Sequence, residues 1–443
     1  MAAPSITVIG GGLAGSEAAW QLLRCGISVD LVEARPAVQS PAHRSLLLAE
    51  MVCSNSLRSD SAETGPGLLK NEMRAIGSLL LEQAERHQVP AGSALAVDRW
   101  NFAWGVSSAL IMHPRLRIRR YALDRIPEGN VILATGPLTS AGMTQLLKRT
   151  LGQGMYFYDA IAPIVEGDSI DYDRVFFGAR REPDSRDYIN CPMDRQQYDA
   201  LVMALREADR VPAHPFEQEH YFEGCLPVEV MAGRGNDALS YGPLRPIGLI
   251  DPRTGRRPHA VIQLRKEDDA GRRYNLVGFQ TRMTYGEQRR VLSMIPGLEK
   301  ARFERLGSIH RNSFLDSPNL LDSSLRLKCS PNVRVAGQFS GVEGYLESGA
   351  LGQLVGLLAA AELRGMDLSP PPPSTALGAL VRHVTRPRGK GERFEPSNIT
   401  FGLLPAPTER IRNKRERRRF VAESALDELK VWAQQLQPLF VDG

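Results

Sequence analysis

The sequence predicts an α/β fold: a Rossmann-type domain built from both ends of the chain, with a smaller α+β domain inserted between them. Three observations carry this. A strand, a glycine turn and a helix open the chain from Ser5. A second strand and glycine-rich turn, running into a long apolar helix, begins only at Val333. Between them, from about Arg180 to Gly307, the sequence becomes charged and strand-rich. The expected limits are residues 1–179 and 308–443 for the discontinuous domain and 180–307 for the insertion.

The opening unit reads "SITVIGGGLAGSEAAWQLLRCGISVDLVEARP". Ser5 to Ile9 is a buried strand by pattern, Leu13 to Arg24 a helix, and Ser28 to Val32 a second strand ending at Glu33. Gly10-Gly11-Gly12-Leu13-Ala14-Gly15 links the first two as a GxGxxG turn. Gly10 allows the tight turn, Gly12 lets a pyrophosphate approach the backbone, and Gly15 lets helix and sheet pack closely. The free N–H groups at the helix start suit phosphates. Glu33 lies 21 residues beyond Gly12, where a carboxylate accepts hydrogen bonds from a ribose. This predicts a dinucleotide ligand without saying which one.

Two later segments favour FAD over a nicotinamide. "NVILATGPL" reads as a strand ending in Ala134-Thr135-Gly136. "NVRVAGQFSGVEGYLESGALGQLVGLLAAAEL" is a strand from Val333 to Ala336, a turn through Gly337, Gly341 and Gly344, and a helix opening near Glu347. A distant helix N-terminus can stabilise charge on a reduced isoalloxazine, and Ser348, Gly349 and Ala350 are small enough for the ring to come near. The other reading of this helix is plain packing. The expected fold is thus the FAD-binding one of the glutathione-reductase kind. There is no second GxGxxG, so a nicotinamide reductant would visit the flavin without a Rossmann site of its own.

In the insertion, a helix capped near Asp194 and two strands, Ala260 to Arg265 and Tyr274 to Gln280, suggest a small substrate-shaping domain. It contains "HYFEGCLPVEVMAGRG", where Cys225 sits between Gly224 and Leu226-Pro227. The proline biases Leu226 to an extended shape, so the thiol stands in a turn. Glu223 and Glu229 are near in sequence and could exchange protons with it. Cys53, in "AEMVCSNSLRSD", has apolar residues before it and Ser54-Asn55-Ser56 after it, an uncommon frame for a packing cysteine. Either thiol can also be read as structural.

Composition sets limits. The chain has 443 residues, 42% hydrophobic and 24% charged, which suits a globular protein with more than one core. No apolar run approaches the ~20 residues of a membrane span. The N-terminus goes straight into a strand, so no signal peptide is expected and a cytoplasmic location follows. The five cysteines, Cys25, Cys53, Cys191, Cys225 and Cys329, form no CxxC pair, so neither a zinc site nor a disulfide framework is expected. The net charge is +5, compatible with a polyanionic partner. "ERIRNKRERRRF", Glu409 to Phe420, packs seven basic residues into twelve ahead of an amphipathic helix, Ala422 to Leu436. It reads either as a solvated helix face or as a phosphate-backbone footprint. "SPPPPS", Ser369 to Ser374, is a stiff linker.

Together these stretches resemble a family, the folate- and FAD-dependent tRNA (uracil-5-)-methyltransferases. The matching pieces are "IGGGLAGSEAAW", "EMVCSNSLRS", "LLKNEMR", "ATGPLTS", "YFEGCLPVEVMA", "YGPLRPIGL", "VGFQTRMTYGEQ", "IHRNSF", "VAGQFSGVEGYLES" and "FEPSNITFGLLP". They span nearly the whole length in order. Ser397 in "FEPSN" departs from the pattern, which has methionine there. The resemblance implies transfer of a methylene carbon from methylenetetrahydrofolate to C5 of a uridine in the tRNA T loop (position 54). Reduced FAD completes the methyl group and NADPH or NADH regenerates the flavin. It implies Cys53 and Cys225 as the catalytic pair, Cys225 preferred for attack at uracil C6 and Cys53 near the flavin, with the reverse order open. His310 would stack on the pterin, with Asn312 and Asn55 as further folate or substrate contacts. The implied partner is tRNA, with no membrane and no obligate protein partner. Two alternatives stand beside it: a wobble-uridine enzyme of the glucose-inhibited division protein A family, which usually has a longer C-terminal helical region, and a tRNA-binding flavoprotein without catalysis.

Overall fold

The runs Ser5–Ile9, Ser28–Glu33 and Val131–Leu133 are short, apolar and rich in β-branched residues, and each is a largely buried strand. Ser5–Ile9 lies between the other two, parallel to both. Val131–Leu133 pairs on its far side with Ser330–Val335, again in parallel, so that Val131 faces Thr7 on one side and Val333 on the other. Leu116–Arg120 and Arg326–Leu327 complete a six-stranded sheet. This computed structural model describes residues 5–40, 42–151, 155–180, 182, 184–211, 226–389, 392, 394–407 and 411–441.

Helices cover this sheet. The glycine-loop helix, Leu13–Arg24, packs along the buried helix, Tyr345–Leu363, and both belong to one core drawn from the two ends of the chain. Close approach is possible because Gly352 and Gly356 lie against the backbone of Ala14 and Ala18. By length and composition the buried helix could cross a bilayer, contrary to the expectation from sequence, yet 89% of its apolar window is buried within the protein. Two buried carboxylates fix further helices. Glu17 accepts from the N–H groups of Leu79 and Leu80, and Glu72 from those of Ala376 and Leu377.

A second core is built on a six-stranded antiparallel sheet, with Tyr188–Met193, Ala260–Lys266, Arg273–Leu276, Ile164–Glu166 and Phe303–Arg305 in succession after the edge strand Phe176–Phe177. Its helix Arg195–Glu207 begins at Asp194 with a full capping box. The core changes before residue 180, because Ile164–Glu166 and Phe176–Phe177 already belong to the second sheet. An antiparallel ribbon of Met155–Ile161 and Ser308–Phe314 joins the two regions. The strand at Arg273–Leu276 ends earlier than the sequence suggests, since Gly278 turns the chain at φ +72°. The C-terminal helix is longer than expected, Lys414–Gln434, because Asn413 caps it by accepting from the N–H groups of Arg415 and Glu416. The basic run is therefore helical.

Candidate active site

Two of the helix starts without a side-chain cap meet one cavity. The helices that begin after Thr64, Ser78, Asp98, Asp194, Thr375 and Asn413 have a side-chain oxygen bound to their first turn. The glycine-loop helix and the buried helix instead have Gly12 and Gly344 at this position, with no side-chain cap. Their first N–H groups keep their capacity for an outside acceptor. Gly12, Leu13, Tyr345 and Ser348 all line a cavity of about 580 Å³.

The same cavity is lined by Gly10, Gly11, Ala14, Glu33 and Gly136, as the sequence motif requires. Gly10 has φ +104°, and a Cβ there would meet the Ala134 carbonyl oxygen at 2.3 Å. Around the Cβ position of Gly12 there is open space. Glu33 Oε2 accepts from the Gly11 N–H at 2.8 Å, and Oε1 from Arg35 Nε at 2.9 Å. Burial alone would raise the Glu33 carboxyl. Its bonds to Arg35, the Arg35 charge and the Gly11 N–H outweigh burial and hold it below the usual range. Oε2 keeps a lone pair for a ribose hydroxyl. These residues fit a dinucleotide such as FAD: phosphates at the open N-terminus, a ribose at Glu33.

Among the candidate residues, Gly15, Gly337, Gly349, Ala350 and Asn55 do not line the cavity, the first two in keeping with the packing and turn roles read from the sequence, the other three contrary to expectation. Gly15 does not line the cavity but packs the helix on the strand, its Cβ position 1.8 Å from the Gly10 carbonyl oxygen. Gly337 turns the chain at φ +75°, and its neighbour Gln338 reaches the cavity instead. Gly349 and Ala350 face the protein interior, where a Cβ at Gly349 would strike Leu80 Cδ1 at 2.6 Å. A helix turns about 100° per residue, so Ser348 points to the cavity and Gly349 towards its helical neighbours. Asn55 is fully buried and gives both amide hydrogens to the carbonyls of Val97 and Lys266. It accepts from Arg265 Nε at 2.9 Å, so it ties two regions together and has no donor left for a ligand.

Cys53 lies at this tie. Its backbone N–H donates to the Tyr345 hydroxyl at 2.6 Å, and that hydroxyl donates to Cys53 Sγ at 3.0 Å. Tyr345 is the first residue of the buried helix. Burial, then charge on Cys53, push its phenol well above the ordinary range, so it stays a proton donor. Val52, which precedes Cys53 in the chain, and Tyr345, which is bonded to it, both line the dinucleotide cavity. Three guanidiniums lie within electrostatic range of Cys53: Arg99, Arg265 and Arg305.

These arginines also hold the loop. Arg99 Nη1 donates to the Met51 carbonyl at 2.5 Å, Arg305 Nη1 to that of Val52 at 2.9 Å, and Arg265 Nη2 to Ser54 Oγ at 3.0 Å. Arg265 and Arg305 come from strands of the second sheet, and Arg99 opens a helix of the first region. Glu267 pairs with Arg99 at 2.6 Å. Burial opposes the Arg99 charge, but Glu267 outweighs it and Arg99 is held above its usual range. Arg305 is pushed down to about 10, by burial and then by Arg99. Arg265 is lowered by burial. Three cations against one carboxylate leave a surplus of two positive charges beside the thiol. A second cavity, of about 320 Å³, adjoins the loop and is lined by Met51, Arg99, Trp100, Glu267 and Arg305 among others.

The remaining thiols differ. Cys25 and Cys191 are buried, and burial pushes both upward, Cys25 to about 11. Cys329 is exposed. Cys225 and Glu223 lie outside the described residues. Glu229 is buried and engaged with Thr281 Oγ1 and the Arg282 N–H, so it is a strut of the second core. His310 stands on the ribbon strand opposite Asp159; its side chain is outside the described residues. Asn312, two positions on, is buried with no partner for Nδ2 among the described residues. No group of three metal-ligating side chains occurs among the described residues. Sequence reasoning does not reach Tyr345 and the three arginines. The one local signal is an aromatic residue directly after the Gly344 turn.

Comparison with known proteins places the chain. The family model described as glucose inhibited division protein A matches residues 5–367. A methylenetetrahydrofolate--tRNA-(uracil-5-)-methyltransferase TrmFO from Rhodospirillum rubrum is 51% identical, over 98% of this chain and 94% of its own. One of the same name from Moorella thermoacetica is 52% identical, over 95% and 97%. Among solved structures, Aquifex aeolicus GidA superposes with a TM-score of 0.71 at 15% identity, over 99% of this chain and 74% of that one, which shows a shared fold. With half-identical relatives over nearly all of its length, and within the broader match to glucose inhibited division protein A, the chain belongs to the family of folate- and FAD-dependent tRNA (uracil-5-)-methyltransferases, as the sequence resemblance implied.

Proposed function

We propose that this chain methylates C5 of the T-loop uridine of tRNA, taking the carbon from methylenetetrahydrofolate and giving 5-methyluridine. FAD, when bound, supplies the reducing equivalents that turn the methylene carbon into a methyl group, with NAD(P)H as their source. The observation that carries the reading is the setting of Cys53: a thiol gripped by the first residue of an open helix, beside the dinucleotide cavity, among arginines from the second sheet. The half-identical relatives bear the name of a uracil-5-methyltransferase, which favours this chemistry over wobble-uridine modification.

Uracil C5 is a weak nucleophile. A thiolate adding at C6 makes it enolate-like, and a second group must then remove the C5 proton. We assign the C6 attack to Cys225, on the resemblance, and the proton to Cys53. A sulfur that receives a proton must carry negative charge beforehand. At Cys53 that charge meets an O–H donor and three guanidiniums, and Tyr345 fixes the direction of Sγ. The arginines hold the loop still, so the sulfur keeps its place while the substrate changes.

The test is a label. Unmodified tRNA is incubated with the holoprotein, labelled methylenetetrahydrofolate and NADPH. Label is expected in 5-methyluridine at the T loop. No label there, with both co-substrates present, refutes the reading.

A further inference from the structure

The C-terminal helix carries its charges the wrong way round. A helix start is electropositive and its end electronegative, so acids are favoured first and bases last. Here Lys414 to Arg419 holds five cations and one acid, net +4. The rest of the helix, Phe420 to Gln434, holds Glu423, Asp427, Glu428 and Lys430, net −2. Like charges three and four positions apart, such as Lys414 with Arg417 and Arg415 with Arg419, also repel. Arg415 has a partner in Glu63 at 2.8 Å. Lys414, Arg417 and Arg419 are exposed and have no ion-pair partner among the described residues. Local conflict of this kind marks a segment kept for something other than stability.

Its place in the fold says for what. Beyond its last turn the chain meets the far ends of the two site helices: Val441 N–H donates to the Arg24 carbonyl, and Arg364 Nη1 to that of Leu439. Arg24 and Arg364 close the glycine-loop helix and the buried helix. The basic end lies at the other end of the bundle. Arg415 pairs with Glu63, and Arg418 lies over the Phe401 ring. Two residues before Phe401, Ile399 donates its N–H to Glu347, in the first turn of the buried helix. The C-terminal helix, about 31 Å long at 1.5 Å per residue, packs on the helix Gly65–Ala75, and its cations lie towards the start of the buried helix, whose Tyr345 and Ser348 line the cavity.

We propose that the first two turns of the C-terminal helix are a docking surface for the sugar-phosphate backbone of tRNA. This rests on the methyltransferase reading and adds where the substrate is held. Phosphates would neutralise the charges that the helix start disfavours, so binding and local stability are coupled. The other occupant of such a patch, an acidic protein surface, would not show the salt dependence of counterion release to a nucleic acid.

The experiment uses the full-length holoprotein with Lys414→Gln, Arg417→Gln and Arg419→Gln combined. The flavin spectrum and flavin reduction by NADPH without tRNA should match the parent. The melting temperature should stay level or rise, since the removed charges oppose the helix dipole. Affinity for unmodified tRNA should fall by about tenfold or more near 0.1 M salt, and the slope of log affinity against log salt should shrink by about two. Methyl transfer at saturating tRNA should keep its rate, with the loss in KM. Unchanged affinity and salt slope overturn the proposal. A parent protein that binds tRNA in this way yet transfers no label contradicts the methyltransferase reading instead, so the two failures are separate.

Discussion

The dinucleotide cradle and the Cys53 junction sit side by side but are made in different ways. The cradle is mostly backbone. Its shape comes from glycine turns and two uncapped helix starts, and its one important side chain, Glu33, ends a strand that pairs directly with the first. The junction is mostly side chains. Cys53, Arg99, Arg265, Arg305 and Tyr345 come from five distant segments and meet only because two sheets are packed against the same loop. A backbone site is dictated by local spacing. A side-chain site exists only once tertiary structure does, and it fails when one distant partner is removed.

That contrast predicts where damage spreads. Arg265→Leu should have the larger effect. It strands Asn55 Oδ1 inside the junction and leaves Ser54 Oγ with only the Ser56 N–H, at a cost of about 1–3 kcal/mol. Denaturant unfolding should report this loss, and methyl transfer should fall with it, while flavin content in the folded fraction stays normal. Loss of flavin with an intact transfer rate per bound flavin would merge the two regions into one.

Glu33→Gln should act on the cradle alone, with a smaller effect of about 1–2 kcal/mol on folding, because the amide oxygen of the substituted side chain can still accept one of the bonds that Glu33 accepts. The pH dependence gives the sign. Glu33 is held below its ordinary range in the folded protein, so below that range the unfolded chain binds more protons. The stabilisation is present above about pH 4.5 and drains away as pH falls through the folded value. Acid titration followed by flavin fluorescence should show this limb in the parent and a shallower one in Glu33→Gln. Arg305, at about 10, keeps its charge through neutral pH, so it adds no slope there.

The same contrast explains what can be read from the chain. The strand Ser5–Ile9, the helix Leu13–Arg24 and Glu33 are legible because period, glycine spacing and the acid lie within one short stretch. The helix at Tyr345–Leu363 is legible as an element, but its facing is not: small size points to Gly349, whereas rotation about the axis selects Ser348 and Tyr345. Asn55 stands out in the sequence only as a polar neighbour of a thiol. Its actual partners, Val97, Lys266 and Arg265, are remote in sequence and no spacing announces them. The basic run before Ala422 reads as a footprint or a solvated face; its helical state depends on the cap at Asn413.

The central claim is that the Cys53 sulfur is a working group of a folate-dependent uracil methylation. Cys53→Ala holoprotein, compared with the parent in the labelled-methylene assay at equal flavin content, addresses it directly. The account predicts an unchanged flavin spectrum and a rate of label transfer into T-loop 5-methyluridine lower by on the order of 10²-fold or more. Parental transfer by the alanine variant would contradict it.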